Sequence, residues 1–243
     1  MLKGTIIKGI GGFYYVDTEN GVYECRARGI FRKEGIKPTV GDNVEISVLD
    51  ENDKEGSLDV IQQRKTLLIR PRVANVNQAV IVFAAKSPNL NLDLLDRFLL
   101  LVEEQQLDVV ICINKIDKDK TKQYEKIAEL YRSIGYIVLC VSAEKGIGIE
   151  ELKQTLQNKI SVFAGPSGVG KSSLINKAFP HAKMETGEIS KKIQRGRHTT
   201  RHAELIQIGQ QSYIVDSPGF TSLYLEGITT ETLQYYFKEF QQY

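Results

Sequence analysis

Cysteine is scarce in this chain and apolar runs are short. The three thiols, Cys25, Cys112 and Cys140, are odd in number and far apart. That excludes a disulfide framework or a metal cluster of closely spaced ligands, and points to a reducing compartment. No stretch approaches the roughly 20 apolar residues that a spanning helix needs. The start, Met1-Leu-Lys-Gly-Thr-Ile-Ile, does not develop into a signal peptide. A cytoplasmic, monomeric protein with no membrane partner is expected. An excess of one charge is also missing: 32 Lys and Arg face 30 Asp and Glu, a net +2. Nucleic-acid binding must therefore be argued from local distribution. Internal repeats and low-complexity tracts are absent. What is present, 243 residues of which 42% are hydrophobic, suffices for one full α/β domain plus something smaller.

Three short motifs stand out, and their order is as informative as their content. Asn114-Lys115-Ile116-Asp117 comes first, Gly165-Pro166-Ser167-Gly168-Val169-Gly170-Lys171-Ser172 second, and Asp216-Ser217-Pro218-Gly219 last. A guanine-nucleotide switch ordinarily begins with the phosphate loop and ends with the base-reading Asn-Lys-x-Asp, so this order is a circular permutation. Such a cut is tolerable because the termini of compact domains lie close together at the surface.

The middle motif matches the full G-x-x-x-x-G-K-[ST] spacing in the required context. Ser161–Ala164 reads as a strand and Lys171–Ala178 as a helix, so loop amides and the helix N-terminus converge on a polyphosphate. Lys171 would supply charge to the β- and γ-phosphates, Ser172 a hydroxyl to Mg²⁺, and Ser173 a contact to the α-phosphate. Asn114-Lys115-Ile116-Asp117 ends the apolar run Val109–Ile113. A carboxylate at Asp117 can accept from both N1–H and the 2-amino group of guanine; adenine lacks that amino group, so ATP should be rejected. An isolated Asn-Lys-x-Asp is also a common polar turn; beside a phosphate loop it selects guanine. Ser142-Ala143-Glu144-Lys145-Gly146, after the strand Tyr136–Val141, reads as the loop that backs the base with a backbone amide. Asp216 follows a predicted hairpin, Ala203–Ile208 and Ser212–Val215, turned at Gly209-Gln210. Its carboxylate would hold Mg²⁺ through water, and the Gly219 amide would sense the γ-phosphate.

Between His181 and His202 lie six Lys or Arg, two acids and all three histidines. With no apolar period, this segment reads as a loop ordered by γ-phosphate and magnesium. Its cations are either a solvated surface or phosphate-backbone contacts. Thr199 or Thr200 should supply the second hydroxyl ligand, with Thr200, nearer the hairpin, preferred. Phe220 stands where many such enzymes carry a glutamine that orients water. His198 is the internal candidate for that role, or else a loop histidine without one. A loop that must be ordered first implies slow unaided turnover, on the order of 10⁻⁴ to 10⁻² s⁻¹, and acceleration by a partner.

Residues 1–65 differ in texture. Thr5–Lys8, Gly12–Val16, Gly21–Arg26 and Asn43–Val48 alternate like strands between glycine turns, as in a small oligonucleotide-binding barrel. Arg26, Arg28, Arg32 and Lys33, with Phe13, Tyr14, Tyr15, Tyr23 and Phe31, offer cationic and stacking surfaces suited to RNA, although strand aromatics are also common core residues. The expected division is a barrel over 1–65, a permuted α/β nucleotide domain over 66–225 and a helical region over 226–243. Within the α/β domain, Gln78–Ala84 reads as a strand. A helix capped by Asn91 presents Leu92, Leu95, Phe98, Leu99 and Val102, and shorter helices are predicted at Lys122–Ser133 and Glu150–Leu156. A helix-like stretch spans Thr229–Gln242.

The barrel, the permuted motif order, Gly196-Arg197-His198-Thr199-Thr200 and Asp216-Ser217-Pro218-Gly219-Phe220 together resemble the ribosome small-subunit-dependent GTPase A family over nearly the whole chain. The resemblance implies a bacterial cytoplasmic factor that binds GTP and GDP, docks on the 30S subunit through its rRNA, assists late maturation and hydrolyses GTP with Mg²⁺ when docked. Two other readings fit the same motifs: a GTP-gated RNA-binding module with negligible turnover, or a permuted GTPase acting on another RNP. The family also implies a C-terminal Cys/His zinc module, for which this chain carries no suitable ligands.

Overall fold

The computed structural model describes residues 1–69, 71–182, 184, 203–216, 229 and 231–242. Two compact units divide the chain, the first built on Met1–Val76 and the second opening at Asn77.

In the first unit, β1 (Leu2–Ile10), β2 (Phe13–Thr18), β3 (Gly21–Ala27), β4 (Asn43–Asp50) and β5 (Glu55–Ile61) close into a barrel in the order β1-β2-β3-β5-β4. Alternation along the strands sends Ile6, Val16, Tyr23, Cys25, Val44, Ile46 and Leu58 inward, where all are fully buried. Two of the expected stacking aromatics belong to this interior. Tyr23 and Phe31, the latter on the short helix α1 (Gly29–Lys33), are buried and offer no face to a base; a strand aromatic does not reveal its side until the register is fixed. Phe13, Tyr14 and Tyr15 remain half-buried, and the Arg26 guanidinium lies 4.7 Å from the centre of the Phe13 ring. Burial, then the charges of Asp59 and Glu24, push the Cys25 thiol up to about 11.

A two-stranded hairpin, β6 (Leu67–Ile69) and β7 (Arg72–Ala74), follows the barrel. Its base is tied down by polar contacts. Asn75 Nδ2 donates to Gly41 O at 2.9 Å and Asn75 Oδ1 accepts from Lys65 N at 2.8 Å. Asp42, with no exposed surface, takes both Arg64 Nε at 2.6 Å and Arg64 Nη2 at 2.8 Å. This two-point pairing compensates the carboxylate for lost water.

The second unit alternates strand and helix: β8 (Gln78–Ala84), α2 (Leu92–Glu104), β9 (Asp108–Asn114), α3 (Gln123–Ser133), β10 (Ile137–Cys140), α4 (Ile149–Thr155), β11 (Ile160–Ala164) and α5 (Lys171–Ala178). A hairpin of β12 (Glu204–Gly209) and β13 (Ser212–Asp216) completes a six-stranded sheet ordered β10-β9-β8-β11-β13-β12. Strands β8 to β11 pair in parallel. Every residue of β8 is buried, as both-faced covering of a parallel sheet requires. Asn91 Oδ1 accepts from Leu94 N at 3.0 Å and caps α2, whose Leu95, Phe98, Leu99 and Val102 face the core while Leu92 lies at the exposed first turn. The β12–β13 turn is centred one residue later than expected, with Gln211 at φ 50°. The expected terminal helix is instead two 3₁₀ turns, Leu233–Tyr236 and Lys238–Gln242. Its threonines and clustered aromatics are poor helix formers.

Candidate functional site

Because β9, β10 and β11 are parallel, their carboxyl ends open onto one edge of the sheet, where open α/β sheets bind ligands. Each end delivers one predicted element. β9 ends at Asn114, Lys115 turns the chain with a left-handed φ of 58°, and a single 3₁₀ turn carries Asp117. β10 leads to Ser142 and Ala143, and β11 leads to Gly165.

The phosphate loop owes its path to glycine. A Cβ at Gly165 would sit 2.1 Å from Val82 O, and one at Gly170 would sit 2.5 Å from Asn114 Nδ2; both residues also have positive φ, 129° and 96°. Lys171 opens α5 and folds its ammonium back on the loop, donating to Gly165 O at 2.6 Å and Pro166 O at 3.0 Å. Burial holds its pKa below the usual lysine range. Ser167 and Gly168 form the outer turn, Val169 is buried, and Ser172 and Ser173 occupy the first turn of α5.

Asn114 binds the loops to one another. Its side chain, 1% exposed, donates through Nδ2 to Val169 O at 2.9 Å and accepts through Oδ1 from Ala143 N at 3.3 Å. Lys115 Nζ donates to Gly168 O at 2.6 Å and to Ser87 O. Burial and then the Lys118 charge lower its pKa, with Asp117 opposing. Asp117 Oδ1 accepts from Ser142 Oγ, which fixes the plane of the carboxylate. Ser142 N is spent on Ile147 O at 3.0 Å, so Ser142 serves through its hydroxyl rather than its amide. The predicted residues thus meet around a cavity of ≈ 470 Å³, which Asn114, Lys115, Asp117, Ala143, Gly170 and Ser173 all line. That volume suits a nucleotide-sized ligand.

Glu144, from the predicted loop, also lines it, and three further lining residues, Lys118, Asn176 and Lys177, were not anticipated. Asn176 was findable: it stands three and four residues after Ser173 and Ser172, on the same face of a helix. A larger cavity, ≈ 750 Å³, lies at the opposite end of the strands, against Asp108, Ile137 and Tyr235, away from every motif. Asp216 is exposed at the carboxyl end of β13. That strand begins beside β11, Tyr213 N donating to Lys159 O at 2.9 Å. His198, Thr199, Thr200, Gly219, Phe220 and most of the basic segment 181–202 lie outside the described residues.

Ser172 and Asp216 are oxygen donors of the kind a hard cation such as Mg²⁺ takes, one or two from protein and the rest from phosphate and water. Among the described residues no group of three His, Cys, Asp or Glu side chains could hold a metal. Among the described residues no clustered thiolate set of the kind zinc takes is present: Cys25, Cys112 and Cys140 lie on three different strands. Among the described residues no helix is long and apolar enough to cross a membrane.

The chain is similar to known proteins. Residues 61–226 match the family model described as RsgA GTPase and residues 3–58 that of the RsgA N-terminal domain. A protein of Alkaliphilus metalliredigens named small ribosomal subunit biogenesis GTPase RsgA is 50% identical over 243 residues, 100% of this chain and 83% of the relative. Its Clostridium beijerinckii namesake is likewise 50% identical, over 100% of this chain and 82% of the relative. Among solved structures, YjeQ from Thermotoga maritima superposes with TM-score 0.84 at 38% identity, covering 98% of this chain and 82% of that one. YloQ, described as a circularly permuted GTPase, gives TM-score 0.80 at 43% identity, covering 100% and 79%.

Proposed function

The chain belongs to the RsgA GTPase family, and from that premise we propose that it hydrolyses GTP to GDP and phosphate with Mg²⁺, binds the small ribosomal subunit through rRNA and assists its maturation. The observation that carries this reading is the bridge made by Asn114, which joins the base-reading loop, the Ala143 loop and the phosphate loop in a single cavity.

Asp117, held by Ser142, takes the two guanine donors and discriminates against adenine. Ala143 N lies close to the base-reading loop through Asn114 Oδ1. Loop amides from Gly165 through Gly170 and the start of α5 receive the phosphates. Lys171 turns from its own loop carbonyls to the β- and γ-phosphate oxygens, offsetting their charge. Ser172, Thr200 and Asp216 would hold the magnesium ion, which neutralises charge developing on the phosphates. Gly219 reports the γ-phosphate and His198 orients the attacking water. The half-buried Phe13, Tyr14 and Tyr15 and the arginines Arg26 and Arg28 support RNA contact by the barrel, residues 1–65, while residues 66–225 handle nucleotide. A cytoplasmic monomer completes the reading.

Phosphate release should be measured from GTP and from ATP, with and without purified 30S subunits, tRNA or unrelated RNA. Selective GTP turnover raised by 30S subunits is expected. Equal use of ATP removes the guanine assignment; tight GTP binding without turnover leaves a GTP-gated RNA-binding module; stimulation by another RNA moves the enzyme to a different RNP.

A further inference from the structure

Asp119 is buried, 4% exposed, just beyond the turn that carries Asp117. Three donors reach its carboxylate: Oδ1 accepts from Thr121 Oγ1 at 2.6 Å and from Thr121 N at 3.2 Å, and Oδ2 accepts from Tyr124 N at 3.2 Å. These bonds, the Thr121 hydroxyl foremost, hold its pKa below the usual carboxylate range. The main chain of the same residue reaches the other way. Asp119 N donates to Ile116 O at 3.1 Å and closes the 3₁₀ turn Ile116–Lys118, while Asp119 O accepts from Lys122 N at 3.1 Å.

The place of this pin gives it meaning. Helix α3 opens at Gln123 with no side-chain cap from Lys122, and Tyr124 N is among the donors that the first turn of a helix leaves without an internal partner. Asp119 satisfies it. Because α3 buries Ala128 and Tyr131 and packs against β10, one residue ties the turn that carries Asp117 to a helix seated on the sheet. Accepting from N1–H and the 2-amino group of one guanine needs both Asp117 oxygens near the plane of the base, and a hydrogen bond weakens steeply as its angle closes. A carboxylate suits position 119 because it accepts at both oxygens, whereas a carboxamide accepts at one and an alanine at neither.

We propose that Asp119 is a positioning residue for guanine recognition: it pins the turn that carries Asp117 to α3, so that both Asp117 oxygens stay in line with the base. This rests on the GTPase reading above. Loss of the pin costs the contact to the 2-amino group, which guanine has and hypoxanthine lacks, so discrimination between the two bases falls.

The test uses the full chain as wild type, Asp119→Ala and Asp119→Asn. GTP and inosine triphosphate each compete against fluorescent GDP, and the denaturant midpoint is measured alongside. Wild type should favour GTP by about 10- to 100-fold, the worth of one hydrogen bond to a charged group. For Asp119→Ala that ratio should fall by about fivefold or more, chiefly through weaker GTP binding, as that bond is lost or bent. Asp119→Asn, isosteric and still able to accept at one oxygen, should fall between, and it carries the test if the alanine variant does not fold. A residue that only caps α3 would lower the midpoint and leave the ratio alone. A ratio that stays at the wild-type value, whether or not the midpoint falls, overturns the inference. A wild type that binds both nucleotides alike instead overturns the guanine reading of Asp117, a result distinguishable from the first.

Discussion

Asn114 packs its amide nitrogen against Gly170 so closely that a Cβ there would stand 2.5 Å away, while the same nitrogen donates to Val169 O at 2.9 Å. The base-reading strand and the phosphate loop therefore meet through a glycine with no room to spare. Gly170→Ala must displace Asn114 and adopt a left-handed φ that costs an L-residue roughly 1–2 kcal/mol. Titration with fluorescent GDP should show affinity down about tenfold or more, since about 1.4 kcal/mol is one decade.

On the proposed function, base choice rests on Asp117. Asp117→Asn exchanges an acceptor for a donor, so GTP affinity should fall by about 100-fold, the scale of a charged hydrogen bond at about 3 kcal/mol. Xanthosine triphosphate, with a 2-oxo group in place of the amine, should bind in its stead. Competition titrations with both nucleotides decide this. Ser142→Ala, which frees the carboxylate plane and removes the acceptor of Lys145 N at 3.1 Å, should cost about fivefold in GTP affinity without changing the preference.

The Lys171 ammonium starts below the ordinary lysine range because it is buried, and phosphate oxygens would raise it again. Nucleotide binding should then take up a proton in alkaline buffer, with affinity declining as pH rises toward the ordinary lysine value. Calorimetry in buffers of different ionisation enthalpy reads the uptake directly. Lys171→Arg should abolish it, because guanidinium does not titrate in this range.

Removing Arg64 leaves Asp42 buried and unpaired, a change that costs roughly 3–5 kcal/mol. Arg64→Leu should lower the denaturant midpoint of the full chain markedly. The double variant Asp42→Asn with Arg64→Leu should recover part of the loss, since no charge is then stranded. Equal midpoints for single and double variants would show that the pairing is not the source.

His198 lies outside the described residues. If it orients water, His198→Ala should reduce 30S-stimulated turnover by about 10²- to 10⁴-fold with GTP affinity unchanged. An unaltered stimulated rate assigns water positioning to another group.

The nucleotide site was legible because its chemistry is local. Gly165 to Ser172 is one contiguous stretch, and the strand before it and helix after it follow from apolar runs of the right length; α5 spans Lys171–Ala178 as expected. Asn114, Ser142 and Ala143 come together because parallel strands end on one edge, a rule of topology rather than of any one residue. What was not legible depends on three-dimensional neighbours. Whether Tyr23 points into the barrel is set by strand register, and the Ser87 carbonyl on Lys115 by the path of a loop. The fifth barrel strand, Glu55–Ile61, carries Gly56, Ser57 and Asp59 among few apolar residues, which hides its period. The hairpin at Leu67–Ala74 is too short to declare itself.

Within the sheet, β8 pairs with β9 on one side and with β11 on the other, yet β9 follows it by a short stretch of chain and β11 only after residue 159. During vectorial synthesis, where domains assemble from the amino end, strands β8, β9 and β10 emerge as a half-sheet with one flank of β8 uncovered. The part proposed to recognise guanine is thus made before the part proposed to grip its phosphates. Closing the gap waits on a late strand arriving beside the earliest one, a contact of long sequence separation and the slow kind to form. Until then the nascent protein carries an open β edge, the sort of surface that chaperones cover.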